Sequence, residues 1–290
     1  MRLAICLTQV PDPDTIEIDA LTGEIDALRT LHILNPADAA ALEIALRLRG
    51  RGDTVTALTV GPDAAEAVLR EALAVGADSV LRLWDESGMA ARPTASAMML
   101  AAALRTEGLP DLLLCGVRSL AGGSGKVPAL LGEHLGWPVV TDVTEVEVEA
   151  ARVYFQRRLA RGGRATGEVT MPAVLGLAAE GVRLRYAGLP GLMQAKRATI
   201  PVRSLPDLGL SPLDLNFPTA TVHVATPPRP RPRTIFIPDG ALPVDVRVAQ
   251  ILSAGVSRKA AQLVDAPPEE AAEILFCFLR DHGFLDEAAA

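Results

Sequence analysis

The chain has 290 residues, 49% of them hydrophobic and 22% charged, so it is long enough for a sizeable core and is not expected to be disordered throughout. Its formal net charge of -7 and sequence pI of about 5.2 argue against a general nucleic-acid or membrane-surface role, because both need basic surface to neutralise phosphates. Any bound anion therefore needs a local site.

The cysteines and the N-terminus point to an ordinary soluble protein. Cys6, Cys115 and Cys277 lie far apart, each within an apolar run, which favours buried thiols over a disulfide framework or a metal site. The apolar start is too short for a signal peptide and is interpreted as a first core strand. Because no apolar run is long enough to span a bilayer, we expect no membrane insertion, and a cytoplasmic location in a bacterium.

The first half of the chain alternates short apolar runs with helical patterns, which is typical of a parallel sheet with helices on its faces. The first helix opens at Asn35-Pro36, where the Asn side chain is expected to cap free N–H groups and Pro suits the first helical position. Strands are predicted at 3–9, 55–60, 79–83 and 110–116, and helices at 36–49 (stopped by Gly50), 63–75, 93–106 and 127–135.

From Val139 onwards the pattern becomes strand-like, which predicts extra β pieces in the same domain, with a turn at Gly162-Gly163 and a short helix at 188–198. Alternating Pro and Arg at 226–233 predicts an extended linker, because Pro fixes φ and lacks an N–H donor. The sequence thus divides into an α/β domain at 1–225 and a C-terminal helical extension at 226–290. The further elements predicted are strands at 143–148, 152–157, 171–177 and 234–237, and helices at 244–254 and 267–281.

A glycine-rich segment follows the predicted strand that ends at Gly116. A strand, a glycine-rich turn and a helix N-terminus together can aim backbone N–H groups at a phosphate, with Ser124 and Lys126 adding a hydroxyl and a charge. The segment is not a Walker A loop, since Val127 follows the Lys where Ser or Thr is required. A flexible connection without a ligand is an equally good interpretation of this segment taken alone.

No catalytic or metal-binding constellation emerges from the sequence. None of the histidines has metal-ligand spacing or a neighbouring nucleophile, so structural or surface roles are expected. The carboxylates Asp12, Asp14, Glu17 and Asp19 alternate with Pro, Thr and Ile, which favours a solvated loop over a metal site.

Several segments, in order along residues 1 to 205, resemble the electron transfer flavoprotein beta subunit family. The most specific is the stretch Arg185-Tyr186-Ala187-Gly188-Leu189-Pro190-Gly191-Leu192-Met193-Gln194-Ala195-Lys196-Arg197. The others are Gln9-Val10-Pro11-Asp12, Leu34-Asn35-Pro36-Ala37-Asp38 before Ala41-Leu42-Glu43, Ala72-Leu73-Ala74-Val75-Gly76-Ala77-Asp78, and Leu135-Gly136-Trp137-Pro138.

The resemblance implies an adenine-nucleotide α-hydrolase-like fold and a heterodimer in which an alpha subunit holds most of an FAD site. The beta subunit of such a pair holds AMP, or a second FAD in bifurcating relatives. Together with Gly116, the residues implied around this nucleotide are Leu7, Asn35, Val60, Ala121, Gly122, Gly123, Ser124, Gly125, Lys126 and Val127.

The resemblance also implies a surface that docks dehydrogenases. Leu189 would be its apolar anchor, flanked by Pro190, Met193, Lys196 and Arg197. Taken alone, the apolar residues from Leu189 to Ala195 fit the buried face of a helix equally well.

The predicted function is that of a carrier subunit without a catalytic site of its own, passing electrons from dehydrogenases to a quinone oxidoreductase or similar acceptor. Residues 234–290 are predicted to dock on the alpha subunit. The alternative is a flavin-free adenine-nucleotide sensor of the universal-stress-like class, which uses the same fold. An amidohydrolase or synthetase is disfavoured because neither a nucleophile nor a pyrophosphatase-type loop is visible.

Overall fold

The structure is a computed structural model that describes residues 1–19, 24–26, 28–86, 92–217, 238–252, 266–281 and 284. The chain divides into two compact units, Met1–Pro228 and Arg229–Ala290. The predicted linker at 226–233 and the predicted strand at 234–237 lie outside the described residues.

The first unit is an α/β domain, and the second contributes helices. The strands are β1 (Arg2–Leu7), β2 (Gln9–Pro11), β3 (His32–Leu34), β4 (Thr54–Val60), β5 (Ser79–Leu83), β6 (Leu112–Gly116), β7 (Val139–Glu149), β8 (Arg152–Arg158), β9 (Arg164–Thr170), β10 (Ala173–Leu177) and β11 (Val202–Arg203). The α-helices are α1 (Pro36–Leu48), α2 (Glu66–Val75), α3 (Pro93–Glu107), α4 (Val127–Leu135), α5 (Leu189–Arg197), α6 (Val244–Leu252) and α7 (Pro268–Asp281).

The main sheet has nine strands in the order β11-β5-β4-β1-β6-β10-β7-β8-β9. The pairs from β11 through β7 are parallel, and β8 and β9 add an antiparallel hairpin beyond β7. The chain builds outwards from β1 through β4 to β5, then crosses to the other side of β1 at β6. The topological switch point of the sheet therefore lies between β1 and β6, where open α/β sheets bind ligands.

The sheet carries a core on each face, because successive side chains of a strand point to opposite sides. On β1, Leu3, Ile5 and Leu7 pack into the cluster that includes residues of α1 and α2. Ala4 and Cys6 pack into the opposite cluster, which includes residues of α3 and α4. α5 packs on the outer side of the domain against α2.

The predicted α/β class, with a parallel sheet, added β pieces and C-terminal helices, is confirmed. β9 and the short strands β3 and β11 were not predicted from the sequence, and the strand predicted at 3–9 ends at Leu7, with a separate strand β2 starting at Gln9. β9 alternates exposed and half-buried residues with only one β-branched apolar side chain, Val169, so it lacks the apolar run that marked the other strands.

The second unit contains the amphipathic helix α7, which starts one residue after the predicted position and ends as predicted. None of its residues is buried. Cys277 on this helix is half-buried rather than buried, so the expectation of three buried thiols is wrong for this residue.

Candidate functional site

A cavity of about 330 Å³ lies at the carboxyl ends of β1, β4, β5 and β6, at the switch point of the sheet. Its volume falls within the range of small-molecule sites. Each of these strand ends contributes residues to the cavity wall. The sheet thereby brings together segments that are more than a hundred residues apart in sequence. The residues expected around a nucleotide that line this cavity are Leu7, Asn35, Val60, Gly116, Ala121, Ser124, Gly125, Lys126 and Val127.

The other two expected residues, Gly122 and Gly123, do not line the cavity but shape the loop that does. Both have positive φ values, 78° and 58°, as does Gly125 at 61°. These conformations strain residues with a Cβ, and they bend the loop so that it leads directly into the N-terminus of α4. Ser124 and Lys126 thus lie at the wall of the cavity beside the positive end of a helix dipole.

Asn35 lines the cavity, but the capping role predicted for its side chain is wrong. Its side chain makes no cap to α1. The amide nitrogen instead donates to the carbonyl oxygen of Arg118 at 3.2 Å, and the amide oxygen accepts from the N–H of Leu120 at 3.2 Å. Asn35 therefore fastens the glycine-rich loop to the start of α1.

Asp38 lines the cavity but was not among the residues predicted from the sequence to do so. Its carboxylate accepts hydrogen bonds from the backbone N–H of Thr8 and of Gly116, both at 2.8 Å, and so joins the ends of β1 and β6. A Cβ on Gly116 would overlap this carboxylate, which explains glycine at that position. The residue is fully buried, and burial raises the pKa of Asp38 to about 7 against the opposing effect of hydrogen bonds from Gly116, Asn35 and Thr8.

Two thiols lie at the inner wall of the cavity. Cys6 and Cys115 are register partners on β1 and β6 and are both buried. Burial raises the pKa of each thiol, and the nearby Asp38 carboxylate acts in the same direction. Both thiols are therefore protonated and act as small apolar residues.

A second candidate surface is α5, which lies in the segment with the most specific resemblance. Leu189, Leu192 and Met193 are 69%, 50% and 49% exposed, and Ala195 is the one buried residue of the helix. The interpretation of this stretch as a buried apolar face is therefore wrong. The expected docking residues Leu189, Pro190, Met193, Lys196 and Arg197 are all exposed.

Charged side chains from two other helices hold this segment in place. Arg185 donates to the Glu43 carboxylate of α1 through its backbone N–H and its guanidinium, at 2.9 to 3.1 Å. Burial of Glu43 opposes ionisation, but the hydrogen bonds from Arg185 and Arg47 prevail and lower its pKa to about 2.

The C-terminal end of α5 is held by Arg70 of α2. One guanidinium nitrogen of Arg70 donates to the carbonyl oxygens of Ala195 at 2.7 Å and Ala198 at 3.0 Å. Gly191 lies so close to α2 that a Cβ would overlap the carbonyl oxygen of Ala74. The exposed apolar side chains of α5 thus lie on a helix that hydrogen bonds and close packing hold against α2.

Comparison with known proteins decides the family. The family model described as the electron transfer flavoprotein domain matches residues 23–208. The chain belongs to the electron transfer flavoprotein beta subunit family. One similar protein is the caffeyl-CoA reductase-Etf complex subunit CarD of Acetobacterium woodii. It is 34% identical to this chain over 79% of this chain and 88% of its own length.

Two further relatives extend the comparison. The electron transfer flavoprotein subunit beta of Thermoanaerobacterium thermosaccharolyticum is 32% identical over 81% of this chain and 92% of its own length. The protein FixA of Azorhizobium caulinodans is 29% identical over 87% of this chain and 94% of its own length. Within the described part of this flavoprotein-family chain, no helix combines the length and apolar character needed to span a membrane.

Proposed function

We propose that this chain is the beta subunit of an electron transfer flavoprotein, a heterodimer that takes electrons from dehydrogenases and passes them to a quinone oxidoreductase or similar acceptor. One observation carries the proposal. The same domain has a nucleotide-sized cavity at the switch point of its sheet and an exposed apolar helix, α5, that is held in place by hydrogen bonds. The chain acts as a carrier subunit: its residues bind and orient the nucleotide and dock the dehydrogenase.

The cavity residues suit an adenine nucleotide. The turn at Gly122, Gly123 and Gly125 and the N-terminus of α4 supply backbone N–H groups to a phosphate, and Lys126 supplies a positive charge, in a chain whose formal net charge is -7. Asn35 and Asp38 fix the loop and the strand ends around it. AMP or the AMP portion of a second FAD would place its phosphate at this end of the cavity.

The electron-accepting chemistry would come from FAD, which the alpha subunit holds for the most part. The contribution of α5 is then a docking surface for the dehydrogenase. Leu189 is the central apolar anchor of this surface, and Lys196 and Arg197 form its charged rim. This arrangement suits a transient complex, because the apolar contact gives affinity and the charged rim guides the orientation of the partner.

Binding of AMP to the full chain, measured by calorimetry, tests the nucleotide role. Lys126→Ala removes a charged donor and should weaken binding about 10- to 100-fold. Lys196→Ala removes an exposed lysine from α5 and is the matched control, with unchanged AMP affinity expected. Equal affinities of the wild-type chain and the Lys126→Ala variant would contradict the assignment of the loop to phosphate.

A further inference from the structure

The cavity at the switch point has two chemically different ends. The glycine-rich loop with Ser124 and Lys126 forms one end and suits a phosphate. The other end is formed by β5, by α3 and by the segment that leads from β4 into α2. Apart from Ser96 of α3, the side chains named at this end are apolar: Pro62, Ala65, Trp84, Pro93 and Leu100.

Among the described lining residues, Trp84 is the one aromatic side chain, and its backbone is firmly held. It follows β5 directly, and its N–H donates to the carbonyl oxygen of Arg203 on β11 at 3.2 Å. The preceding carbonyl, of Leu83, accepts from the N–H of Gly61 at 3.0 Å. The half-buried indole packs against the α3 and α4 core cluster, so the ring has a fixed base.

We propose that Trp84 is the platform on which the base of the bound nucleotide stacks, while the phosphate occupies the glycine-rich loop. This inference rests on the proposed nucleotide function and adds the residue that selects the base. β5 and β6 are three strand spacings apart in the sheet, so roughly 14 Å separate the two ends. A nucleotide would then lie across the ends of β4 and β1.

The chemistry of the apolar end favours a purine over a pyrimidine base. An indole ring binds a base through its π face and through the apolar area that the two rings bury together. A two-ring purine covers more of the indole than a one-ring pyrimidine does, so it gains more from the contact. We therefore expect AMP to bind more tightly than UMP, with Trp84 responsible for most of the difference.

Tryptophan fluorescence gives a direct test, because the chain has two tryptophans. Trp137 lies just after α4 and does not line the cavity. The Trp137→Phe variant of the full chain therefore reports on Trp84 alone. Titration with AMP should change its emission with the same dissociation constant that calorimetry gives, whereas the Trp84→Phe variant, which retains Trp137, should show little change.

Calorimetry on position 84 completes the test. Trp84→Ala should weaken AMP binding by about 5- to 100-fold, Trp84→Phe should retain most of the affinity, and the preference for AMP over UMP should shrink in Trp84→Ala. If the wild-type chain binds AMP but Trp84 neither changes emission nor affects affinity, this inference is wrong and the nucleotide function stands. If the wild-type chain binds no AMP, both fail. Should Trp84→Ala not fold, the Trp137→Phe titration decides.

Discussion

At the scale of single residues, the buried carboxylate of Asp38 joins two strands of the sheet through hydrogen bonds. It accepts hydrogen bonds from two strand ends, Thr8 on one side of the switch point and Gly116 on the other. Both partners are backbone groups, so this side chain joins the ends of β1 and β6 beneath the cavity. Its carboxylate is buried and lies near the thiols of Cys6 and Cys115, which do not compensate its charge.

The raised pKa of Asp38 predicts a pH-dependent stability. Its folded-state pKa of about 7 lies above the value of about 3.9 expected in the unfolded chain, so between these values the folded protein holds a proton that the unfolded chain has lost. This residue's contribution to the free energy of unfolding should therefore fall as pH rises from about 4 to about 7, and then level off.

Urea unfolding at several pH values, compared with Asp38→Asn, measures this contribution. The variant loses one good hydrogen bond and is destabilised, but its side chain does not titrate. The difference in unfolding free energy between wild type and variant should decrease as pH rises from 5 to 7, a range around the pKa of about 7. A difference that is constant over this range would contradict the assignment.

At the scale of elements, α1 contacts the segments that form both candidate surfaces. At its N-terminal end, Asn35 holds the glycine-rich loop and Asp38 holds the ends of β1 and β6. In its middle, Glu43 holds the segment before α5. The Glu43 side chain is 6% exposed and its partner Arg185 is 42% exposed. A buried acceptor with several charged donors contributes more to stability than an exposed ion pair does.

Glu43→Gln should therefore destabilise the protein by about 1.5 to 3 kcal/mol and increase amide hydrogen exchange across residues 185–198. Glu17→Gln is the matched control, since Glu17 pairs with Arg29 on the surface with both side chains more than half exposed. That control should leave unfolding and exchange almost unchanged. Equal effects of the two substitutions would show that Glu43 does not anchor the segment.

The exposure of the apolar side chains of α5 predicts that a substitution there weakens docking without lowering the stability of the fold. Leu189→Ala should change the free energy of unfolding by less than about 0.5 kcal/mol, because the side chain is already largely exposed. Leu42→Ala in the fully buried part of α1 should cost about 2 to 5 kcal/mol. Docking to a dehydrogenase should be weakened by Leu189→Ala and unaffected by Leu213→Ala, an exposed leucine elsewhere. A large loss of stability with unchanged docking would overturn the prediction.

The elements differ in how far the sequence determines them. α4 begins and ends where predicted, because Pro near its start and Gly136 after its end mark both limits. The strands β2, β3 and β11 have three residues or fewer and carry no periodicity to detect. Asp38 was missed because a carboxylate in the first turn of a helix is ordinarily a surface residue that favours the helix dipole.

The contacts that define both candidate sites join residues far apart in sequence. Asp38 and Gly116 are 78 positions apart, and Glu43 and Arg185 are 142 positions apart. No local pattern reveals such pairs. The glycine-rich loop was predictable because strand, turn and helix follow one another within a single segment.

At the scale of the whole molecule, the C-terminal unit is predicted to serve the partner subunit. α7 carries Ile274, Leu275 and Phe278, which are 39%, 57% and 52% exposed, a costly arrangement for a helix in water. Truncation after Ala225 should leave a folded domain with an unchanged free energy of unfolding but weaken association with the alpha subunit. Aggregation of the truncated chain, with the intact chain a stable monomer, would assign the extension to the core of this chain instead.

Co-expression of this chain with an electron transfer flavoprotein alpha subunit from the same organism would test the proposed function. We expect a yellow heterodimer that, on denaturation, releases FAD together with AMP or a second equivalent of FAD, identified by chromatography and absorbance. A colourless chain that stays monomeric beside the alpha subunit, or a heterodimer that releases one FAD and no other nucleotide, would contradict the proposed function. The first result would favour a flavin-free nucleotide sensor, and the second would refute the nucleotide site.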